Sequence, residues 1–214
     1  MPEQPSLWER FVETDSFCFE RRLLASGCRL VAGLDEAGRG PLAGPVVAAC
    51  VVLLPGCGHE RFRDSKILTA AARDELYAEL QTNGARIGVG VGSVAEIEKI
   101  NILRASLLAM RRAVDALAEQ PDFLLVDGKF PVPIAIPQQP LVKGESRSAS
   151  IAAASIIAKV TRDRMMADYH ERYPQYNFLS NKGYGTAEHR QALVEHGPCE
   201  LHRRGFRGVG DEAA

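Results

Sequence analysis

Residues 30–54 read LVAGLDEAGRGPLAGPVVAACVVLL. The apolar run Leu30–Asp35 closes on the adjacent carboxylates Asp35 and Glu36. It then enters a turn region, Glu36–Pro45, which holds Gly38, Gly40, Pro41, Gly44 and Pro45. Glycine and proline at that density punctuate regular structure. The chain resumes as the β-branched, apolar run Val46–Leu54. Two strands joined by a glycine-rich turn are therefore predicted, with carboxylates where the first one stops. Further on, Thr69 can cap a helix through Leu80, in which Leu76 and Leu80 share one face. Arg86–Gly92 alternates apolar residues with glycines, as a third strand does. Asn101–Ala118 has the apolar spacing of an amphipathic helix. Phe123–Val126 reads as a short buried strand ending at Asp127-Gly128, and Ile134–Val142, broken by Pro and Gln, as an edge strand at best. Ser148–Tyr173 predicts one long helix, and Ala187–His196 a last one. Residues 1–29 carry mixed charge and predict a helix that caps the fold. The order strand, strand, helix, strand, helix, strand, strand, helix implies an α/β layer fold with a mixed sheet and a helical C-terminal appendage.

The composition sets limits on this reading. A chain of 214 residues allows one domain with a small appendage. With 46% apolar and 25% charged residues, it is neither disordered nor collagen-like. The longest apolar run, Val46–Leu54, falls short of the ~18 residues of a membrane helix, and the polar, acidic Met1–Glu13 is no secretory signal. The net charge of −1 does not announce a nucleic-acid binder. Five cysteines without a CxxC fit reduced thiols in a cytoplasmic protein with no zinc site.

The candidate chemistry sits where strands stop. Asp35-Glu36 follows the first strand, Asp127 the fourth, and Glu145 the stretch Pro140–Val142. Carboxylates far apart in sequence can converge at one sheet edge and hold hard divalent cations such as Mg²⁺. Two such ions can clamp the attacking and leaving oxygens of a phosphodiester. Taken singly, Asp127 reads first as an ordinary turn residue and Asp35-Glu36 as a solvated pair. Gly38-Arg39-Gly40 can bring backbone N–H groups close to a phosphate or sugar, or it can simply turn the chain. Lys143, Arg147, Lys159, Arg162 and Arg164 give residues 143–164 a local positive excess, and His202, Arg203, Arg204 and Arg207 form a second basic group. Both can neutralise phosphates or be solvated faces.

Together these residues resemble type 2 ribonuclease H (RNase HII) from about Leu30 to Phe206. The blocks are Asp35-Glu36-Ala37-Gly38-Arg39-Gly40-Pro41-Leu42-Ala43-Gly44-Pro45, Asp64-Ser65-Lys66, Asn101-Ile102-Leu103, Val126-Asp127-Gly128, Lys143-Gly144-Glu145, the run Ala153–Asp163, Lys182-Gly183-Tyr184 and His202-Arg203-Arg204. The resemblance implies an RNase H-like fold, with a mixed central sheet flanked by helices and a small helical C-terminal region. It divides the chain into a capping segment 1–29, a catalytic domain 30–173 and a substrate-binding region 174–214. It implies a two-metal endonuclease, using Mn²⁺ or Mg²⁺, that cuts the RNA strand of RNA–DNA hybrids and incises at ribonucleotides embedded in duplex DNA. Asp35, Glu36 and Asp127 fall on the cation ligands. The fourth family carboxylate is usually Asp; Glu145, one methylene longer, stands there. Asp163 is the nearby substitute, expected instead to pair with a neighbouring Arg on its helix. Gly38, Arg39, Gly40 and Tyr184 match the elements that read the RNA-to-DNA junction. A 2′-OH distinguishes RNA at one nucleotide, and an aromatic ring can pack on the adjacent deoxyribose. Lys66, Lys143 and Arg147 would contact phosphates.

The type 3 enzyme of the same superfamily resembles this core but carries a long N-terminal substrate-binding domain, and only 34 residues precede Asp35. A resolvase-like nuclease would lack the junction motif, and a pure hybrid-binding module gains nothing from clustered carboxylates. Gln4-Pro5-Ser6-Leu7-Trp8 resembles peptides that dock on bacterial sliding clamps, though Trp8 packed on the core in a capping helix is the plainer reading. A monomer is expected.

Overall fold

The computed structural model describes residues 15–62, 65 and 68–209, so Lys66 and the stretch Gln4–Trp8 lie outside the described residues. Five strands form one mixed sheet: β1 (Val31–Ala37), β2 (Val46–Val52), β3 (Arg86–Gly92), β4 (Phe123–Asp127) and β5 (Gln138–Leu141). Their spatial order is β3-β2-β1-β4-β5. The first three are antiparallel neighbours, while β1, β4 and β5 run parallel. This mixed sheet flanked by helices is the RNase H-like architecture expected from the sequence. β1 runs two residues past Asp35, because Asp35 and Glu36 still pair with Ala49 and Ala48 of β2. The turn therefore starts at Gly38 rather than at Glu36.

Helices cover both faces. α3 (Val94–Asp115) lies on β2 and β3, and α4 (Ala149–Arg172) lies on β1 and β2 with α2 (Ala70–Thr82) beside it. Leu34, Ala48, Cys50 and Val126 meet Ala105, Ala109 and Met110 of α3 on one face. Ala49 and Val51 meet Ala153 and Ile157 of α4 on the other, with Leu76 and Leu80 of α2. α4 reaches β1 closely because position 33 is glycine: a Cβ there would stand 2.1 Å from the Ser150 carbonyl carbon. α1 (Cys18–Ala25) packs beside β1 and the start of α4. Its buried Glu20 accepts from the Ser148 hydroxyl at 2.5 Å and the Ser150 N–H at 3.0 Å, at the N-terminus of α4.

Two element boundaries differ from the sequence reading. α3 starts at Val94, with Ser93 and Glu96 forming a capping box, instead of at Asn101. Asn101 sits inside it at φ 67°, and its side chain accepts from the Arg104 N–H at 3.1 Å, so it restarts the helix the way an N-cap does. β5 is only four residues long, with Pro140 tolerated because the strand lies at the sheet edge. The C-terminal part adds two helices, α5 (Phe178–Asn181) and α6 (Ala187–His196). They pack on the glycine-rich turn through Leu42, Ala43, Met166, Tyr176, Phe178 and Leu193. Among the described residues no helix is long and apolar enough to cross a membrane.

Candidate active site

The parallel strands end at one edge of the sheet, and the carboxylates follow from that. Leu34 pairs with Val126, so Asp35 and Asp127 stand side by side one residue further on. Asp127 pairs with Leu141, and Glu145 arrives just past the end of β5. Ligand oxygens of Asp35, Asp127 and Glu145 lie within 4.8 Å of one another. Each is held. The Glu36 N–H donates to Asp35 Oδ1 at 2.7 Å, and the Gly144 N–H donates to Asp127 Oδ1 at 2.7 Å. The Lys-Gly-Glu sequence has a geometric reason. Lys143 takes the left-handed conformation, at φ 56°. A Cβ at 144 would stand 2.6 Å from Ile151 Cδ1 and 3.2 Å from Asp127 Oδ1, so glycine lets the loop close on Asp127 without displacing either side chain. Glu36 is not in this cluster. It lines the same cleft at the rim, where its Oε1 pairs with the Arg39 guanidinium at 3.1 Å.

Asp35 is only 5% exposed. Burial, then the charges of Glu36, Asp127 and Glu145, push its carboxyl well above the usual carboxylate range, against the Glu36 N–H bond that lowers it. Crowded anions at the end of a sheet disfavour their own ionisation unless a cation joins them. All-oxygen donors of this kind, with no His or Cys among them, fit Mg²⁺ or Mn²⁺.

The carboxylates lie in an open cleft of about 340 Å³. Ser65, Ser155 and Lys159 line it as well, and so do Gly38, Arg39, Gly40 and Tyr184. Both serines fall in blocks that carry the family resemblance, but the sequence assigns neither a role. Ser155 accepts from the Ser65 N–H at 3.4 Å, tying the segment after β2 to α4. Asp163 is elsewhere: it accepts from Lys159 Nζ at 2.6 Å, four residues back on α4. Its partner is thus a lysine and not the expected arginine, and Glu145 is the carboxylate that joins Asp35 and Asp127.

Tyr184 stands at the glycine turn although the two are distant in sequence. A Cβ at position 40 would lie 3.8 Å from Tyr184 Cε1, which is van der Waals contact. Two arginines build this wall. Arg203, 0% exposed, donates to the carbonyls of Gly38 (2.6 Å), Arg39 (3.0 Å), Gly44 (2.8 Å) and Pro45 (3.3 Å). Arg162, 1% exposed, donates to the carbonyls of Ala43 (3.0 Å), Pro45 (3.0 Å) and Lys182 (2.9 Å). In a trans peptide the N–H points opposite to its carbonyl. The carbonyls of Gly38 and Arg39 face Arg203, so the N–H groups of Arg39 and Gly40 are turned away from it. These placements correct the reading of both basic groups as phosphate contacts for Arg162 and Arg203. Their donors serve the backbone, and neither reaches solvent. Of the expected phosphate contacts, Lys143 is exposed beside the site, and Arg147 lies over the Phe19 ring of α1 at 5.4 Å.

A family model described as Ribonuclease HII matches residues 32–209. The chain is 53% identical over 191 residues to the ribonuclease HII of Syntrophotalea carbinolica, which covers 89% of this chain and 91% of that one. Among solved structures it resembles the ribonuclease H2 of Pyrococcus horikoshii OT3, with a TM-score of 0.69 and 25% identity over 84% of this chain and 95% of that one. It also resembles the RNase HII of the Archaeoglobus fulgidus PCNA:RNase HII complex, with a TM-score of 0.66 and 25% identity over 78% of this chain and 87% of that one.

Proposed function

The chain belongs to the ribonuclease HII family, endonucleases that cleave the RNA strand of RNA–DNA hybrids, and from that premise we propose how this chain does so and at which phosphates. The observation that carries the reading is one cleft joining the carboxylate cluster to the glycine turn and Tyr184. Asp35, Asp127 and Glu145 hold the divalent cations, with Glu36 at the cleft rim as a fourth ligand. A pair of Mg²⁺ or Mn²⁺ ions supplies an activated water and neutralises charge on the phosphate. The residues of the chain select and orient that phosphate. Backbone groups of Gly38, Arg39 and Gly40 approach the 2′-OH of the ribonucleotide on its 5′ side. Tyr184 packs on the neighbouring deoxyribose, where a 2′-OH would clash. Lys66, Lys143 and Arg147 hold the duplex backbone, and the C-terminal region contributes through Tyr184. The enzyme therefore also incises at single ribonucleotides in duplex DNA and leaves 3′-OH and 5′-phosphate ends.

The test is a duplex with one embedded ribonucleotide, incubated in Mg²⁺ and Mn²⁺ in parallel. A single cut at the junction with a 5′-phosphate product supports the reading. Cleavage of continuous hybrid with no cut at the single ribonucleotide overturns the junction-reading part. The complex of the Archaeoglobus fulgidus protein with PCNA supports a second proposal, that Gln4–Trp8 docks on a sliding clamp. A peptide of residues 1–12 should bind a clamp and lose binding on Leu7→Ala; no binding by the unaltered peptide overturns it. We place the protein in the cytoplasm as a monomer, where its five free cysteines stay reduced.

A further inference from the structure

Behind the cleft wall, two buried histidines meet Nε2 to Nε2, their rings tilted by 45°. His189 of α6 is 0% exposed and His202 is 1% exposed. His202 belongs to the segment that braces the glycine turn: its backbone bridges Ala43, the Arg203 N–H donates to the Leu42 carbonyl at 2.8 Å, and the Gly44 N–H donates to the Leu201 carbonyl at 2.8 Å. His189 belongs to the segment that carries Tyr184.

The contacts allow one proton arrangement. The Cys199 N–H donates to His202 Nδ1 at 3.0 Å, so that nitrogen is an acceptor, and the Cys199 thiol lies beside it at 3.2 Å. A neutral ring then carries its proton on Nε2. His202 Nε2 stands 3.0 Å from His189 Nε2, which must accept. His189 in turn carries its proton on Nδ1, 2.9 Å from the Tyr184 carbonyl oxygen. The relay runs from the Cys199 N–H to the Tyr184 carbonyl with one consistent direction. The rings of Tyr176 and Phe178 enclose both imidazoles, and burial lowers the basicity of each. Tyr184 itself is 46% exposed, so little packs around its ring. Its place in the cleft depends on its backbone. The carbonyl accepts from the relay and from the Thr186 N–H at 2.8 Å, the Tyr184 N–H donates to the Asn181 carbonyl at 2.9 Å, and one residue earlier the Leu42 N–H donates to the Gly183 carbonyl at 2.8 Å. The relay is thus the one of these holds that comes from outside the turn's own backbone and Leu42.

We propose that His189 and His202 are positioning residues: their hydrogen-bonded pair locks Tyr184 against the glycine turn and thereby sets the selectivity for the RNA-to-DNA junction. The proposal rests on the reading of Tyr184 given above.

Two experiments test it. In wild-type protein, two-bond ¹⁵N–¹H spectra at neutral pH should show His202 as the Nε2–H tautomer and His189 as the Nδ1–H tautomer. The opposite tautomer in either ring, or a charged ring, overturns the relay, and this measurement needs no variant to fold. The second compares kcat/KM on a duplex with one ribonucleotide and on a continuous hybrid. His189→Leu should lower the ratio of the two about five- to tenfold, the effect of one lost hydrogen bond. His189→Asn, whose amide N–H can replace Nδ1, should restore most of it. In a Tyr184→Ala background neither change should alter the ratio further. Equal loss on both substrates, or further loss without Tyr184, overturns the proposal. If Tyr184→Ala alone leaves the ratio unchanged, the Tyr184 reading fails and the selectivity role with it. If Tyr184→Ala lowers the ratio and His189→Leu does not, the relay alone fails.

Discussion

Asp35 is held in a place where its own charge is disfavoured. Three neighbouring carboxylates and burial raise its proton affinity, so its contribution to stability is greatest below its unfolded value of about 3.8 and is lost as pH rises. Asp35→Asn should therefore raise the melting temperature of the cation-free protein at neutral pH. Added Mn²⁺ should raise that of wild type and leave that of the variant nearly unchanged; a variant less stable than cation-free wild type would contradict the crowding account. The choice between Glu145 and Asp163 is testable at the same scale. Glu145 stands with Asp35 and Asp127, and Asp163 is tied to Lys159. Glu145→Gln should impair cleavage strongly, Glu145→Asp should be tolerated, and Asp163→Asn should remain active. A silent Glu145→Gln with a crippled Asp163→Asn would reverse the assignment. The carboxylates were legible because each follows an apolar run that ends abruptly. Arg162 and Arg203 were not, since nothing local in sequence separates an arginine that grips backbone carbonyls from one that meets a phosphate.

At the level of elements, the sheet places the site only if α4 seats on β1. The contact is made at Gly33, where an added Cβ would meet the backbone of Ser150 at 2.1 Å. Backbone cannot move aside as a flexible side chain does. Gly33→Ala should cost about 3 kcal/mol or more, beyond the usual range for overpacking, and chemical denaturation would measure it. A loss below about 1 kcal/mol would show that α4 can shift freely. The strands and long helices were legible from apolar period and caps: Thr69 caps α2 and Ser148 caps α4 by side-chain acceptance. The start of α3 was not, because Asn101 breaks the helix inside an unbroken apolar pattern and hides the capping box at Ser93.

Across the whole molecule, the C-terminal region and the glycine turn are one packed unit, and its stability is linked to pH through the histidines. Burial, then the neighbouring His189, lowers the His202 pKa from 6.5 to about 4. The unfolded chain takes up the proton first, so the stabilisation present above pH 6.5 is lost as pH falls towards 4. At about 1.4 kcal/mol per unit the loss is roughly 3 kcal/mol. Asp35 pulls the other way as pH rises above about 3.8, so the comparison to make is wild type against His202→Gln. Wild type should lose more stability than the variant between pH 6.5 and 4, and parallel curves would refute the linkage. The joining of Tyr184 to Gly40 was legible only through family resemblance. The contact depends on a bridge between Ala43 and His202, which no local pattern announces.

The central claim is that Asp35, Asp127 and Glu145 form the cation site at which the phosphodiester is cut. Single-turnover cleavage of a duplex with one ribonucleotide, at saturating Mn²⁺, tests it in wild type and in Asp127→Asn. The variant should bind the duplex normally and cleave at least ~100-fold more slowly, a barrier increase of about 2.7 kcal/mol. Cleavage within a few-fold of wild type would contradict the claim.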